Sequence, residues 1–184
     1  MKNHQASRAL DLLGLARVVH QVPCSAANGL PLGGEVKPTC IKTLLADIGL
    51  CHAVLDTPAA TVFPEWSTFA PAVRGQLTDQ MAGQQLRQLA HGSGDGPELY
   101  YWQREGGRPG EIDYLITCVG RILPIKLKSG TAGAMKMKSL HQFMYDKNLV
   151  HAVRCDANPP SIQEVQVTTT QGDPVRYSLV CVPL

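Results

Sequence analysis

Residues 98–130 constrain the fold more than any other part of the chain. ELYYWQRE (98–105), EIDYLITCV (111–119) and RILPIKLKSG (121–130) are three strand-like runs in succession, divided by the turn sequences GGRPG (106–110) and Gly120. The last two are expected to form a β-hairpin around Gly120. Side chains alternate across a strand, so Glu111 and Asp113 share one face, as do Pro124, Lys126 and Lys128. If the strands pair, two carboxylates and two ammoniums converge. Paired carboxylates can hold a hard divalent cation, and a nearby lysine can orient water or stabilise phosphate charge.

The remaining elements surround this hairpin. Ala6, Leu10, Leu13 and Ala16 recur at helical spacing, and RVVHQV (17–22) reads as a short strand. Residues 23–38, rich in proline, glycine and small residues, read as a loop, with Asn28, Gly29, Gly33 and Gly34 at its bends. A strand over 40–47 and a short helix over 48–55 follow. Pro58, Pro64 and Pro71 lie in a stretch without periodicity, which places a boundary near residue 70 between a small unit (1–70) and a larger one (71–184). Leu77, Met81, Leu86 and Leu89 then mark an amphipathic helix. Beyond the hairpin, 135–148 reads as a helix, and 149–155, 162–170 and 175–184 as strands. This order predicts an α/β fold, a mixed sheet flanked by helices.

Charge and cysteine usage narrow the function classes. A formal net charge of only +2 means that any attraction to nucleic acid must come from local clusters. The six cysteines are widely spaced and form no CxxC pair, which points to small buried side chains in a reducing, cytoplasmic compartment rather than to disulfides or zinc. No run reaches the roughly 20 apolar residues of a membrane-spanning helix, and the N-terminus lacks a signal-peptide core, so no membrane partner is expected. The absence of HExxH, GxSxG and GxxxxGK[ST] removes support for zinc-protease, serine-hydrolase and P-loop readings.

LYYWQREGGRPGEIDYLITCVGRILPIKLKSG, preceded by HQASRALDLLGLARVVHQVPCSAANGLPLGGEV, LLADIGL and GQLTDQMAGQQL and followed by SLHQF, resembles the C-terminal domain of unknown function carried by bacterial AAA-type ATP-binding proteins. The resemblance spans nearly the whole chain. It implies a PD-(D/E)XK, restriction-endonuclease-like fold preceded by a winged-helix region, of which the opening helix and strand would be a remnant. It also implies the tail of a longer protein, with an AAA-type ATPase domain as partner and no ATP hydrolysis by this chain alone.

Carried over by resemblance, Asp113 matches the first acidic position of the nuclease motif, Lys128 its lysine, and Asp79 a supporting helix acid. Two positions depart from the pattern. Lys126 stands where relatives carry glutamate, and Gln85 where another acid is common. A nuclease of this kind would use Mg or Mn, held here by Asp79, Glu111 and Asp113, with Lys128 assisting the water. An ammonium at position 126 removes a ligand and repels the metal, so the expected function is a catalytically impaired accessory module that binds DNA or a protein partner. The alternative is an active metal-dependent deoxyribonuclease. A purely structural reading makes the acids and lysines a set of ion pairs on a sheet edge. Lys126, Lys128, Lys136, Lys138 and Arg121 could form a basic strip for phosphates, whereas Tyr100, Tyr101 and Trp102 are expected in the core. His20, His52, His141 and His151 are isolated and read as structural.

Overall fold

The computed structural model describes residues 3–57, 68–90, 99–106, 110–130 and 137–184. In chain order the elements are α1 (Asn3–Leu15), β1 (Val19–Ser25), β2 (Val36–Leu45), α2 (Ile48–Val54), α3 (Pro71–Ala90), β3 (Tyr100–Gln103), β4 (Glu111–Cys118), β5 (Arg121–Leu127), α4 (Lys138–Asp146), β6 (His151–Asp156), β7 (Ser161–Thr168) and β8 (Pro174–Pro183). The strands form one mixed sheet in the order β2-β1-β3-β4-β5-β6-β8-β7. β1 runs parallel to β3, and β5, β6 and β8 are mutually parallel; the other neighbours are antiparallel. The mixed α/β sheet flanked by helices is therefore present.

Helices cover both faces. Consecutive residues on one strand enter different apolar clusters: Leu115 joins Trp102, Phe143 and Leu140 beneath α4, whereas Ile116 packs with Tyr114, Ile125 and Ala82 beneath α3. Trp102 and Phe143 meet with ring centroids 4.9 Å apart at 58°, a tilted arrangement that favours edge-to-face attraction. Tyr100, Tyr101 and Trp102 are all buried, as their place on a central strand requires.

Residues 23–38 are more ordered than a loop reading allows. β1 runs through Pro23 to Ser25 and β2 starts at Val36, with a register shift between Pro23 and Cys24 accommodating the proline. Between them Ala27 and Leu32 enter the α4-side core, and Asn28 accepts a hydrogen bond from Lys147. Composition alone misleads here because the segment's small residues are used for packing. The β1–β2 pair extends the same sheet as β3 to β8, so residues on either side of position 70 share it. Pro58 and Pro64, used for that boundary, lie outside the described residues.

Two local features position the site. The β4–β5 hairpin turns on Val119 and Gly120, with φ of 48° and 68°, the pair of positive values that a two-residue type I′ turn requires. On the other side of β4, Tyr100 faces Leu115 but Trp102 faces Ile112, so β4 holds one residue more than β3 over this stretch. That bulge falls at Asp113 and Tyr114. It lets Ile112 face α4 and Tyr114 face α3, although the two are two apart. Strict alternation fails at the residue that matters most.

Candidate functional site

An open pocket of about 410 Å³ lies between α3 and the adjoining ends of β4 and β5, lined by Lys42, Gln76, Thr78, Asp79, Glu111, Asp113, Leu127, Lys128 and Ser129 among others. α3 supplies Asp79 and is held onto the sheet by Tyr114, whose hydroxyl donates to the Asp79 main-chain oxygen at 2.8 Å. A second clamp comes from Gln80, which accepts from the Leu45 amide at 2.9 Å and donates to the Leu45 carbonyl at 2.7 Å, satisfying edge-strand β2. The polar inward face of α3 therefore serves to fix the helix against the sheet.

Every carboxylate of the site has an ammonium partner. The Lys126 ammonium lies 3.0 Å from both Asp113 oxygens and also donates to the Glu111 carbonyl at 3.1 Å. Asp113 Oδ2 additionally accepts from the Leu127 amide at 2.6 Å. The other two acids share Lys42 of β2, whose ammonium lies 3.2 Å from Asp79 Oδ1, 3.0 Å from Glu111 Oε1 and 3.3 Å from the Asp113 carbonyl oxygen. It also lies 5.3 and 5.0 Å from the ring centroids of Tyr101 and Tyr114, within cation–π range.

The electrostatics follow from one ammonium serving several acids. Burial pulls the Lys42 ammonium towards neutrality, but Asp79, Glu111 and Asp113 together outweigh it and hold its pKa above the ordinary 10.5. Asp79 receives only a share of that charge. Burial therefore raises its carboxyl, with Asp113 adding repulsion and Lys42 opposing. Burial lowers the Lys128 ammonium, and neighbouring Lys126 lowers it further against a weaker pull from Asp113. Burial first, then Asp156, pushes the Cys155 thiol up to about 11 from 9.0.

Lys42 and Cys155, the two raised groups of this set that titrate in the alkaline range, have the same sign of linkage, opposite to that of the lowered Lys128. Each favours its protonated form in the folded chain, so its contribution is complete below its unfolded pKa and disappears as pH rises through the folded one. In a Lys128→Met background, which removes the opposing group, the midpoint for urea unfolding is therefore expected to fall from pH 9 to 11 as Cys155 loses its proton first in the unfolded chain, and to fall further above 10.5 as Lys42 loses its own. An unchanged midpoint across that range would contradict this environment.

A divalent cation such as Mg or Mn takes six or more oxygen ligands and requires its carboxylates free. Among the described residues, no group of three or more His, Cys, Asp or Glu side chains is arranged to hold a metal ion. Asp79, Glu111 and Asp113 do meet around one pocket, but the local charge is already balanced by Lys42 and Lys126. As they stand, these residues do not fit a divalent cation.

The structure places Asp79, Glu111, Asp113 and Lys128 around one pocket with Lys126 paired to Asp113. Asp79 was named by the resemblance, however, and the bulge on β4 breaks the alternation that set Glu111 and Asp113 on one face. Lys126 pairs with Asp113 and is not among the lining residues, whereas Lys128 is. Gln85 is exposed on α3 and takes no part in the lining. Lys42 was missed by sequence reasoning. Its signal is the alternation Cys40, Lys42, Leu44, which places a lysine on the same face of β2 as a buried leucine. Of the basic strip, Lys126 is consumed by Asp113, Lys138 and Arg121 are exposed, and Lys136 lies outside the described residues. His141 is buried and shares a 2.8 Å hydrogen bond with the Tyr177 hydroxyl, and His52 pairs with Thr57 Oγ1 at 3.1 Å, both structural roles. The six cysteines are free, three of them buried. No helix among the described residues is long and apolar enough to cross a membrane.

A mixed α/β sheet with a charge-balanced pocket at the edge of its central hairpin is the class that fold and site define. The chain belongs to the family described as Domain of unknown function (DUF4143), whose model matches residues 74–172, from the start of α3 to the turn before β8. No curated protein matches the chain.

Proposed function

We propose that this protein is a nuclease-like accessory module of an AAA-type ATP-binding protein, restriction-endonuclease-like in its ancestry and catalytically silent. The observation that carries the reading is the pairing of each candidate metal-binding carboxylate with a lysine of the same chain, Lys126 on Asp113 and Lys42 on Asp79 and Glu111. Metal-assisted phosphodiester hydrolysis depends on a bound cation, and a site whose negative charge is already spent has little attraction for one. The order of the acid on β4, the lysine after β5 and the acid on the preceding helix supports the ancestry.

Docking to a protein partner is favoured over a nucleic-acid surface. The aromatic residues that could stack on bases are buried, and Lys126 is committed to Asp113. The test is incubation of the purified chain with plasmid and single-stranded DNA in Mg or Mn, together with gel-shift titrations at two salt concentrations. No cleavage and no salt-dependent shift are expected. Cleavage that requires metal and disappears in Asp113→Ala would overturn the proposal. A salt-dependent shift without cleavage would overturn only the preference for a protein partner.

A further inference from the structure

We infer that Lys42 is a tethered cation whose ammonium fills an oxygen cage, and that removing this ammonium turns the cage into a divalent-cation site. An ammonium has three N–H donors, and three oxygens surround this one at 3.0 to 3.3 Å: Glu111 Oε1, Asp79 Oδ1 and the Asp113 carbonyl. Two are carboxylates and one is a main-chain carbonyl, the hard-oxygen set that Mg and Mn prefer. Three elements hold it. Asp79 comes from α3, Glu111 and the Asp113 carbonyl from β4, and Lys42 from β2. The Tyr101 and Tyr114 rings flank the ammonium, so the cage is built to receive positive charge.

Lys126 does not share this role. It engages the Asp113 carboxylate and the Glu111 carbonyl, leaving the cage oxygens to Lys42. Lysine at position 126 thus explains the loss of one ligand, while Lys42 explains why the remaining oxygens are closed to a metal. The inference rests on the charge-balanced reading of the site, but the two can fail separately. DNA cleavage by the native chain would sink the proposed function, whereas the behaviour of Lys42 variants decides this one.

Lys42→Met keeps an apolar stem against Tyr101 and Tyr114 while deleting the charge. Calorimetric titration with manganese chloride is expected to show one saturable site in Lys42→Met, at least about tenfold tighter than any site in the native chain, as uncovering two carboxylates implies. Lys42→Met/Asp79→Asn is expected to lose it. A folded Lys42→Met that binds no better than the native chain, or a gain that survives Asp79→Asn, would overturn the inference. Should Lys42→Met fail to fold, Lys42→Gln takes its place in the manganese titration, and acetylation of the native chain by acetic anhydride, followed by peptide mass spectrometry, tests the enclosure of the ammonium itself. Lys42 is expected to react at least about tenfold more slowly than exposed Lys138, because its ammonium is held protonated and enclosed. Equal rates would overturn the cage.

Discussion

Asp113→Ala is expected to destabilise the protein by about 3 kcal/mol, read as a lowered midpoint in urea unfolding, because it leaves the charge of Lys126 without its partner. The Lys126 and Asp113 side chains are only 12% and 16% exposed, so water replaces the lost carboxylate poorly. The Leu127 amide loses its acceptor at the same time. The sign is diagnostic. In a pocket built to hold a metal, acids repel one another until the cation arrives, and removing one relieves that repulsion. Here the same substitution should do the reverse. Lys126→Met made together with Asp113→Ala should recover part of the loss, since the orphaned charge is gone, and the difference gives the coupling of the pair. An Asp113→Ala protein as stable as the native chain would contradict the ion pair.

Gly83→Leu is expected to cost at least about 3 kcal/mol, beyond ordinary overpacking, and to open the pocket. A Cβ at Gly83 would meet the Tyr114 hydroxyl, with Leu44 Cδ1 at 2.6 Å and Tyr114 Cζ at 2.9 Å. None of these can retreat. Tyr114 is fully buried and its hydroxyl is bonded to the Asp79 carbonyl, and Leu44 is fixed in the α3-side core. α3 must therefore lift from the sheet, carrying Asp79 away from Lys42. Gly83→Ala should show a smaller loss, because alanine returns about 1 kcal/mol of helix propensity. Unfolding midpoints and the acetylation rate of Lys42 measure the two consequences, and a Gly83→Leu protein with both unchanged would contradict the close approach.

The hairpin and the helix before it were legible because their signals are local. Alternating apolar residues, Gly120 and the GGRPG turn specify β4 and β5, and apolar spacing marks α3 through Leu77 and Leu86, although Met81 of the same set is 39% exposed. The pairing of Asp113 with Lys126 follows from the same strands once they are joined. Lys42 was harder to see. Ile41 and Leu45 make the opposite face of β2 equally apolar in the sequence, yet Ile41 is 40% exposed while Leu44, on the face of Lys42, is buried. The bulge at Asp113 was hidden for a related reason. An extra residue on β4 is defined by its mismatch with β3, a partner from another part of the chain. Nothing in the sequence singles out Gln80, because its role depends on where the edge of β2 lies.

Titration of the native chain with manganese at neutral pH, followed by calorimetry, tests the balance of charge in the pocket most directly. With Lys42 and Lys126 in place, no saturable site is expected up to about millimolar metal, since the carboxylates are already neutralised. A single site of micromolar affinity that Asp113→Asn abolishes would contradict it.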